Sequence, residues 1–133
     1  MANYVSIART SYFKVKDEDA FWKWISEFPN PNIWQKNTDD GDLLCLAFEI
    51  GIPTWRELED GTDEDINFFE EIAKHLASGW AVEIREIGFE GMRYLIGRST
   101  IVCWDGKAFT VSLDDAVRLA PVTAEMKLTP CEY

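Results

Sequence analysis

The C-terminal half of the chain constrains the fold most strongly, because it contains three extended segments joined by short connections. The segments read AVEIREIGF, RYLIGRSTIVCW and AFTVSL, and they are separated by EGM and DGK. Asp105-Gly106 in the second connection is a strong signal for a tight hairpin turn. This pattern predicts consecutive strands paired antiparallel in one sheet.

The N-terminal segment NYVSIARTSYFKVK alternates between apolar and polar residues. The alternation places Val5, Ile7, Phe13 and Val15 on one side, which predicts a long first strand with these residues in the core. Arg9 interrupts that apolar side. Arg9 should therefore either reach a carboxylate or lie where that side meets water, and we favour a structural ion pair over a ligand-binding role.

Two amphipathic segments predict the main helices. Asp17 is the expected N-cap of the first, whose core stripe consists of Phe21, Trp24, Ile25 and Phe28. Thr62 is the expected N-cap of the second, with Asp65 at the third position of a capping-box variant and Gly79 at its end. Its predicted buried side consists of Ile66, Phe69, Ile72, Ala73 and Leu76.

The remaining segments complete the predicted order of elements. IWQK and LLCLAFEI flank NTDDGD and predict a hairpin with Asp40-Gly41 at its tip, while GIPTWRELEDG reads as a surface connection. A short helix is expected after Ser112, ending at Pro121. The order β-α-β-β-α-β-β-β-α predicts a single α+β domain over residues 1–133. Its sheet is largely antiparallel, with the two main helices on one face and the short helix at the C-terminus.

The charge of the chain is unevenly distributed. The net charge is −11, and residues 37–71 alone contain twelve acidic residues and one basic residue, Arg56. Such a surface repels nucleic acid and anionic lipid and attracts basic partners. Helix and turn positions account for five of these acids, namely Asp63, Glu64, Asp65, Asp40 and Asp60. They leave Asp39, Asp42, Glu49, Glu57, Glu59, Glu70 and Glu71 unexplained.

These acids suggest a surface that binds a basic, nucleic-acid-binding protein by imitating nucleic acid. The candidate surface combines the turn at 39–42, the connection at 57–60 and the start of the second helix. Its candidate residues are Asp39, Asp40, Asp42, Trp55, Glu57, Glu59, Asp60, Asp63, Glu64, Glu70 and Glu71. A solvated acidic face that favours solubility is the alternative. Trp55 is either an aromatic anchor for the partner or, as we favour, a loop residue folded over the core.

The sequence offers little support for catalysis or for a cofactor. Its single histidine, His75, falls late in the second helix, where helix-end packing is the favoured role. No nucleophile motif and no phosphate-binding glycine pattern is present. DDGD and DGTDED do not have the spacing of an EF-hand loop, so a specific metal site is not expected. We therefore expect a protein that is not an enzyme and has no cofactor.

Three segments carry a resemblance to known proteins: NYVSIARTSYFKVKD, GWAVEIREIGFEGMRYLIG and VSLDD. Together they resemble a poorly characterised family of small acidic proteins carried by plasmids, integrative elements and phages, and the similarity spans most of the chain. The resemblance supplies no catalytic residues. It implies a mobile-element context, in which small proteins often block host defences, and some do so with acidic surfaces that imitate nucleic acid.

Two functions follow as expectations. In the first, the protein blocks a basic host protein by nucleic-acid mimicry, as an inhibitor of anti-CRISPR or anti-restriction type. In the second, it is an adaptor or assembly module that binds another protein through an apolar or sheet-edge interface. Since no apolar run reaches the roughly 20 residues of a membrane span and no signal-peptide pattern is present, we expect a cytoplasmic protein that binds neither membranes nor nucleic acid directly.

Overall fold

The computed structural model describes residues 4–120, 125–129 and 131, in which strands predominate over helices. The helices are α1 (Glu18–Ile25), α2 (Phe68–His75) and α3 (Asp115–Leu119). The strands are β1 (Tyr4–Thr10), β2 (Asn32–Thr38), β3 (Gly41–Phe48), β4 (Trp55–Glu57), β5 (Asp63–Asp65), β6 (Ala81–Glu90), β7 (Tyr94–Cys103) and β8 (Ala108–Ser112). No helix among these residues is both long and apolar enough to cross a membrane.

Six strands form one antiparallel sheet in the order β2-β3-β1-β6-β7-β8, which confirms an α+β fold with an antiparallel sheet. The three C-terminal strands are consecutive neighbours, as their short connections predicted. The β2–β3 hairpin also forms as predicted, because Thr38 pairs with Gly41 across its tip. Gly41 has a φ of 100°, a conformation that L side chains rarely adopt, which explains the glycine at this turn.

The two faces of the sheet differ sharply in exposure. One hydrophobic cluster contains side chains from the core face of the sheet together with buried side chains of α1 and α2. The strand residues of this cluster are Leu44, Leu46, Phe48, Val82, Ile84 and Val102. The opposite face, which we call the open sheet face, carries large apolar side chains that remain substantially exposed. They are Val5, Ile7, Trp34, Ile87, Phe89, Leu95, Ile101, Phe109 and Val111.

The prediction for the first strand is therefore wrong in its first half. Val5 and Ile7 are 46% and 49% exposed, although Phe13 and Val15 are buried as expected. Ala8 is buried in their place. The alternation holds along β1 but changes phase after the strand ends, so the two halves of the apolar pattern point to opposite faces of the sheet.

The phase change has a hydrogen-bonding cause. Thr10 is buried, and its Oγ1 accepts a hydrogen bond from the backbone N of Leu46 at 2.9 Å. The chain then shifts partners within a few residues: Ser11 donates its N–H to Glu83 of β6, whereas Phe13 pairs with Leu44 of β3. The Thr10 side chain thus accepts a bond that a backbone carbonyl would otherwise accept in the sheet. This interrupts the two-residue alternation, and the residue types alone do not reveal the interruption.

The first helix forms as predicted. Asp17 is its N-cap, with Oδ1 accepting from Ala20 N at 3.1 Å, and the whole predicted stripe is buried. Trp24 lies at the centre of the aromatic core. Its ring stacks on Phe68 at 5.3 Å and on His75 at 4.7 Å, and it contacts Phe28 edge-on at 5.4 Å.

The predicted start of the second helix is wrong. Asn67, not Thr62, is the N-cap, and its Oδ1 accepts a hydrogen bond from Glu70 N at 3.3 Å. The residues assigned to the first helical turn form β5 instead. The helix ends at His75, before Gly79. Of the predicted buried side, Ile72, Ala73 and Leu76 are buried, Ile66 and Phe69 are partly buried, and the buried Phe68 was not predicted.

A short helix follows Ser112 as expected, and this is α3. The apolar residues around it, Leu113, Val117 and Leu119, are each exposed by more than half. Leu113 nevertheless packs close to Gly97, where a Cβ would lie 3.3 Å from Leu113 Cγ. Pro121, the predicted end of this helix, lies outside the described residues.

His75 gives the fold a specific pH dependence. Burial lowers its pKa below the ordinary value, and the nearby Lys16 charge lowers it further. A histidine with a depressed folded-state pKa stabilises the fold above its unfolded pKa of about 6.5 and loses that contribution as the pH falls below it. We expect the free energy of unfolding to drop between about pH 7.5 and pH 5.5. His75→Phe, which can keep the stacking on Trp24, should remove most of this drop; an unchanged slope would contradict the assignment.

Candidate functional site

The strands β4 and β5 form a two-stranded ribbon separate from the main sheet. Three residue pairs lie directly opposite each other: Trp55 and Asp65, Arg56 and Glu64, and Glu57 and Asp63. Directly opposite residues share a face of a strand pair, so the middle pair lies on one face and the outer two pairs on the other. We call the face with Trp55, Glu57, Asp63 and Asp65 the acidic ribbon face; all four residues are exposed.

The turn of the ribbon explains why residues 58–62 reverse the chain. Asp60 Oδ1 accepts hydrogen bonds from the backbone N and the Oγ1 of Thr62, at 2.9 and 2.6 Å, and these bonds lower the pKa of Asp60. The Leu58 N donates to the Thr62 carbonyl at 2.7 Å. Gly61 supplies the positive φ of 85° that the turn requires. Asp60 and Thr62 are thus turn residues, and Glu59 lies exposed beside them.

Arg56, on the other face of the ribbon, binds three carboxylates. Its Nη1 lies 2.8 Å from Glu27 Oε2 and 2.7 Å from Glu71 Oε1, and its Nε lies 2.9 Å from Glu64 Oε2. The hydrogen bond that Arg56 donates to Glu64, together with its interactions with Glu71, raises the pKa of Arg56 above its ordinary value. Glu71 Oε1 also accepts from Trp24 Nε1 at 2.8 Å, which connects the ribbon to the core. Two of the predicted site residues, Glu64 and Glu71, are therefore engaged within the fold.

We expect Arg56→Ala to lower the free energy of unfolding by about 2 kcal/mol, because three converging carboxylates would lose their shared cation. Screening at about 1 M NaCl should restore part of the loss. Arg85→Ala is the matched control, since Arg85 pairs with Glu83 alone among the described residues and its side chain is 71% exposed; such pairs contribute under about 1 kcal/mol. Urea denaturation compares the two, and equal losses would contradict a central role for Arg56.

The acidic ribbon face has no such compensation. Within residues 4–120, 125–129 and 131, neither Glu57, Asp63 nor Asp65 forms an ion pair. Like charges directly opposite each other, such as Glu57 and Asp63, cost roughly 0.2–1 kcal/mol. Trp55 is 50% exposed beside them, so the expectation that it folds over the core is wrong. The ribbon thus presents uncompensated carboxylates next to an accessible aromatic ring.

The acids of the β2–β3 turn lie elsewhere. Asp39 and Asp40 are exposed, and Asp42 Oδ1 accepts from Asn37 Nδ2 at 2.8 Å. This turn precedes β3 whereas the ribbon follows it, and a strand of that length spans roughly 25 Å. The contacts that the turn and the ribbon make around α2 also indicate that the two groups of acids lie apart. Lys14, beside the turn, accepts a bond from Ala77 past the helix C-terminus, whereas Arg56 contacts the first helical turn.

The structure therefore divides the predicted surface. Ribbon and first helical turn are joined through Arg56, with Glu70 exposed in that turn, while Asp39, Asp40 and Asp42 form a separate group. Asp65 belongs to the acidic ribbon face but is not among the predicted site residues. The signal that could have located it is Asp60-Gly61 between two short polar segments of equal length, which is a hairpin pattern.

The open sheet face provides a second candidate surface. A groove of about 550 Å³ crosses it, lined mainly by apolar atoms and including Ile7, Trp34 and Ile87. Arg9 and Arg85 also line this groove and lie directly opposite each other on β1 and β6. A volume in this range is typical of binding sites, although this one is open to solvent.

The predicted ion pair of Arg9 is absent among the described residues. Arg9 Nη2 instead donates to Cys45 Sγ at 3.4 Å, and Nε donates to the Thr10 carbonyl at 3.4 Å. Its guanidinium lies 6.0 Å from the centre of the Trp34 ring, within range of a cation–π contact. Arg9 is thus held along the open sheet face by soft and neutral partners and keeps its charge available.

In the part of the chain that the structure describes, no group of three or more His, Cys, Asp or Glu side chains is placed to hold a metal ion. Comparisons of the chain with protein-family models, with curated proteins and with solved structures found no match. The surfaces themselves therefore carry the functional argument.

Proposed function

We propose that the protein is a non-enzymatic inhibitor that binds a basic, nucleic-acid-binding host protein in the cytoplasm. Its acidic ribbon face acts as a decoy for nucleic acid. One observation carries the proposal: Glu57, Asp63 and Asp65 lie side by side without an ion pair among the described residues, next to the exposed Trp55. A fold that tolerates this repulsion has a surface suited to a cationic partner.

The spacing of the charges supports the decoy. Opposite side chains on the ribbon are about 5 Å apart, and side chains two residues apart along a strand are about 7 Å apart. These distances are of the same order as the charge spacing along nucleic acid. A groove lined with lysine and arginine could accept carboxylates at this spacing in place of phosphates. Trp55 adds an aromatic ring that can stack where a base would stack.

Arg56 also supports the decoy proposal, because its positive charge is already paired with carboxylates and does not neutralise the acidic ribbon face. Three carboxylates surround it on the other face of the ribbon, at 2.7–2.9 Å. It therefore fixes the ribbon against the helices without neutralising the acidic ribbon face. The proposal takes α1 and α2 to lie on one face of the sheet, so that the ribbon projects beside a rigid helical layer.

The resemblance to small acidic proteins of plasmids, integrative elements and phages supports the biological setting. In that setting the blocked partner would be a host defence protein, and the inhibitor would be of anti-CRISPR or anti-restriction type. We keep Glu59, Asp60 and Glu70 in the proposed contact surface because they are exposed beside the ribbon or in the first turn of α2. Asp39, Asp40 and Asp42 belong to it only if the partner spans the length of β3.

The experiment that tests the proposal is capture from a host lysate by the immobilised protein at low and high salt. The decoy predicts that nucleic-acid-binding proteins are retained at about 50 mM salt and released near 500 mM, because screening weakens exposed charge pairs. Added DNA or RNA should also release them. Capture of proteins that are not nucleic-acid-binding, or retention at high salt with nucleic acid present, would contradict it.

The second candidate function is an adaptor or assembly module. The open sheet face favours it, because contiguous apolar faces on a soluble protein often mark binding surfaces. An interface of this kind would respond little to salt, so the same capture experiment separates the two functions.

A further inference from the structure

We propose that two copies of this chain associate face to face through the open sheet face. The apolar side chains of this face are contiguous across the central strands. Val5 lies opposite Phe89, and Ile7 lies opposite Ile87, on the paired strands β1 and β6. Ile87 is 55% exposed. Sheets bury such faces by packing against a second sheet about 10 Å away.

The area of the face is sufficient for a dimer. Six strands spaced about 4.8 Å apart and roughly 20–30 Å long give a footprint on the order of 600 Å². Two such footprints bury on the order of 1,200 Å², which exceeds the roughly 1,000 Å² expected of a biological interface. Leu113, packed near Gly97, borders the face on the side of β7 and β8. The centre of the interface therefore lies over β1 and β6.

The charges on this face favour a second copy over an unrelated partner. Arg9 and Arg85 lie opposite each other, and Glu49 lines the same groove. Glu49 is exposed and has no ion pair among the described residues. In a two-fold dimer, residue i contacts residue j and j contacts i. Arg85 already pairs with Glu83 at 2.8 Å, so Glu49 of each copy can meet Arg9 of the other, and the groove is complementary to itself.

The net negative charge does not oppose this dimer. The excess of acids lies within residues 37–71, and the acidic ribbon face belongs to a separate two-stranded sheet. Around the groove on the open sheet face, Arg9 and Arg85 accompany Glu49 and Glu83, so the groove itself carries no excess of acids. At physiological ionic strength, charges farther apart than about 8 Å are largely screened. Apolar burial on the open sheet face therefore decides the association.

Sedimentation equilibrium of the full chain at several concentrations tests the proposal. We expect a mass of twice 15.3 kDa at high concentration, in low and in high salt. Ile87→Lys should weaken the dimer by about 100-fold or more, because it places a charge at the centre of the apolar contact. Met92→Lys is the matched control, since Met92 is 96% exposed in the turn after β6 and should leave the dimer unchanged. Circular dichroism checks that both variants are folded.

A charge exchange provides a second test that does not depend on Ile87. Glu49→Arg should weaken the dimer, and combining it with Arg9→Glu should restore it. A chain that stays monomeric up to about 1 mM would overturn the proposal. So would equal weakening by Ile87→Lys and Met92→Lys, or a charge exchange that fails to restore association in folded variants.

Discussion

Replacing Glu86 with alanine is expected to lower the free energy of unfolding by about 3 kcal/mol, because the substitution removes a buried carboxylate that pairs with the half-exposed Arg98 and accepts two hydrogen bonds. Glu86 is 6% exposed on the core face of β6. Its Oε1 binds Arg98 at 2.5 Å, and its Oε2 accepts from Ser6 Oγ at 3.3 Å and from Ile52 N at 3.0 Å. The side chain thus holds the loop after β3 against the sheet.

Urea denaturation at neutral pH measures this loss. Glu86→Gln should lose less than Glu86→Ala, since the amide oxygen can still accept from the Ile52 N–H. Glu59→Ala is the control, because Glu59 is an exposed turn acid without an ion pair among the described residues, and such substitutions usually change stability by less than about 0.5 kcal/mol. If Glu86→Ala matches this control, the buried carboxylate does not anchor the loop.

Reversing the acidic ribbon face is expected to abolish partner binding. The triple variant Glu57→Lys, Asp63→Lys and Asp65→Lys should weaken binding to the captured partner by at least about 100-fold at low salt, since desolvated charge pairs across an interface are worth several kcal/mol. The fold should survive, because three like charges replace three like charges on an exposed ribbon. Surface plasmon resonance measures the loss, and circular dichroism checks the fold.

The β2–β3 turn provides a control with the same change in net charge. Asp39→Lys, Asp40→Lys and Asp42→Lys also reverse three acids, but at the other end of β3. This variant should slow association modestly through long-range electrostatics and leave the complex otherwise intact. Equal losses in the two triple variants would mean that net charge, and not the ribbon, governs binding.

Two hairpins and the first helix could be predicted because their signals are local. The hairpin at Asp105-Gly106 and the hairpin at Asp40-Gly41 form where turn residues separate extended segments. Asp17 caps α1, and its stripe is buried, because capping and helical spacing depend on residues only a few positions apart. These features do not depend on what the rest of the chain does.

The first strand was predicted less well because its orientation depends on distant partners. Val5 and Ile7 alternate as core residues do, yet they lie on the open sheet face. The buried bond from Leu46 N to Thr10 Oγ1 sets the change of phase, and Leu46 is far away in sequence. The same change of phase explains the environment of Arg9. Its side chain lies on the exposed face of the sheet beside Trp34, where it needs no carboxylate partner.

The ribbon was missed because two local patterns compete in the same residues. Thr62 to Asp65 reads as a capping box, and Asp60-Gly61 reads as a hairpin turn. In the folded chain Arg56 binds three carboxylates, β5 pairs with β4, and the helix begins at Phe68 with Asn67 as its N-cap. Two of these carboxylates, Glu27 after α1 and Glu71 in α2, lie outside the ribbon, so only the tertiary structure resolves the choice.

The central claim is that the acidic ribbon face replaces nucleic acid in a basic groove. It is tested most directly by measuring the affinity for the captured partner from about 50 to 500 mM salt, with and without competing nucleic acid. The decoy predicts that log Kd rises steeply and linearly with log salt concentration and that nucleic acid displaces the protein competitively. An affinity that stays constant across this range, with nucleic acid and the protein bound at the same time, would contradict the claim.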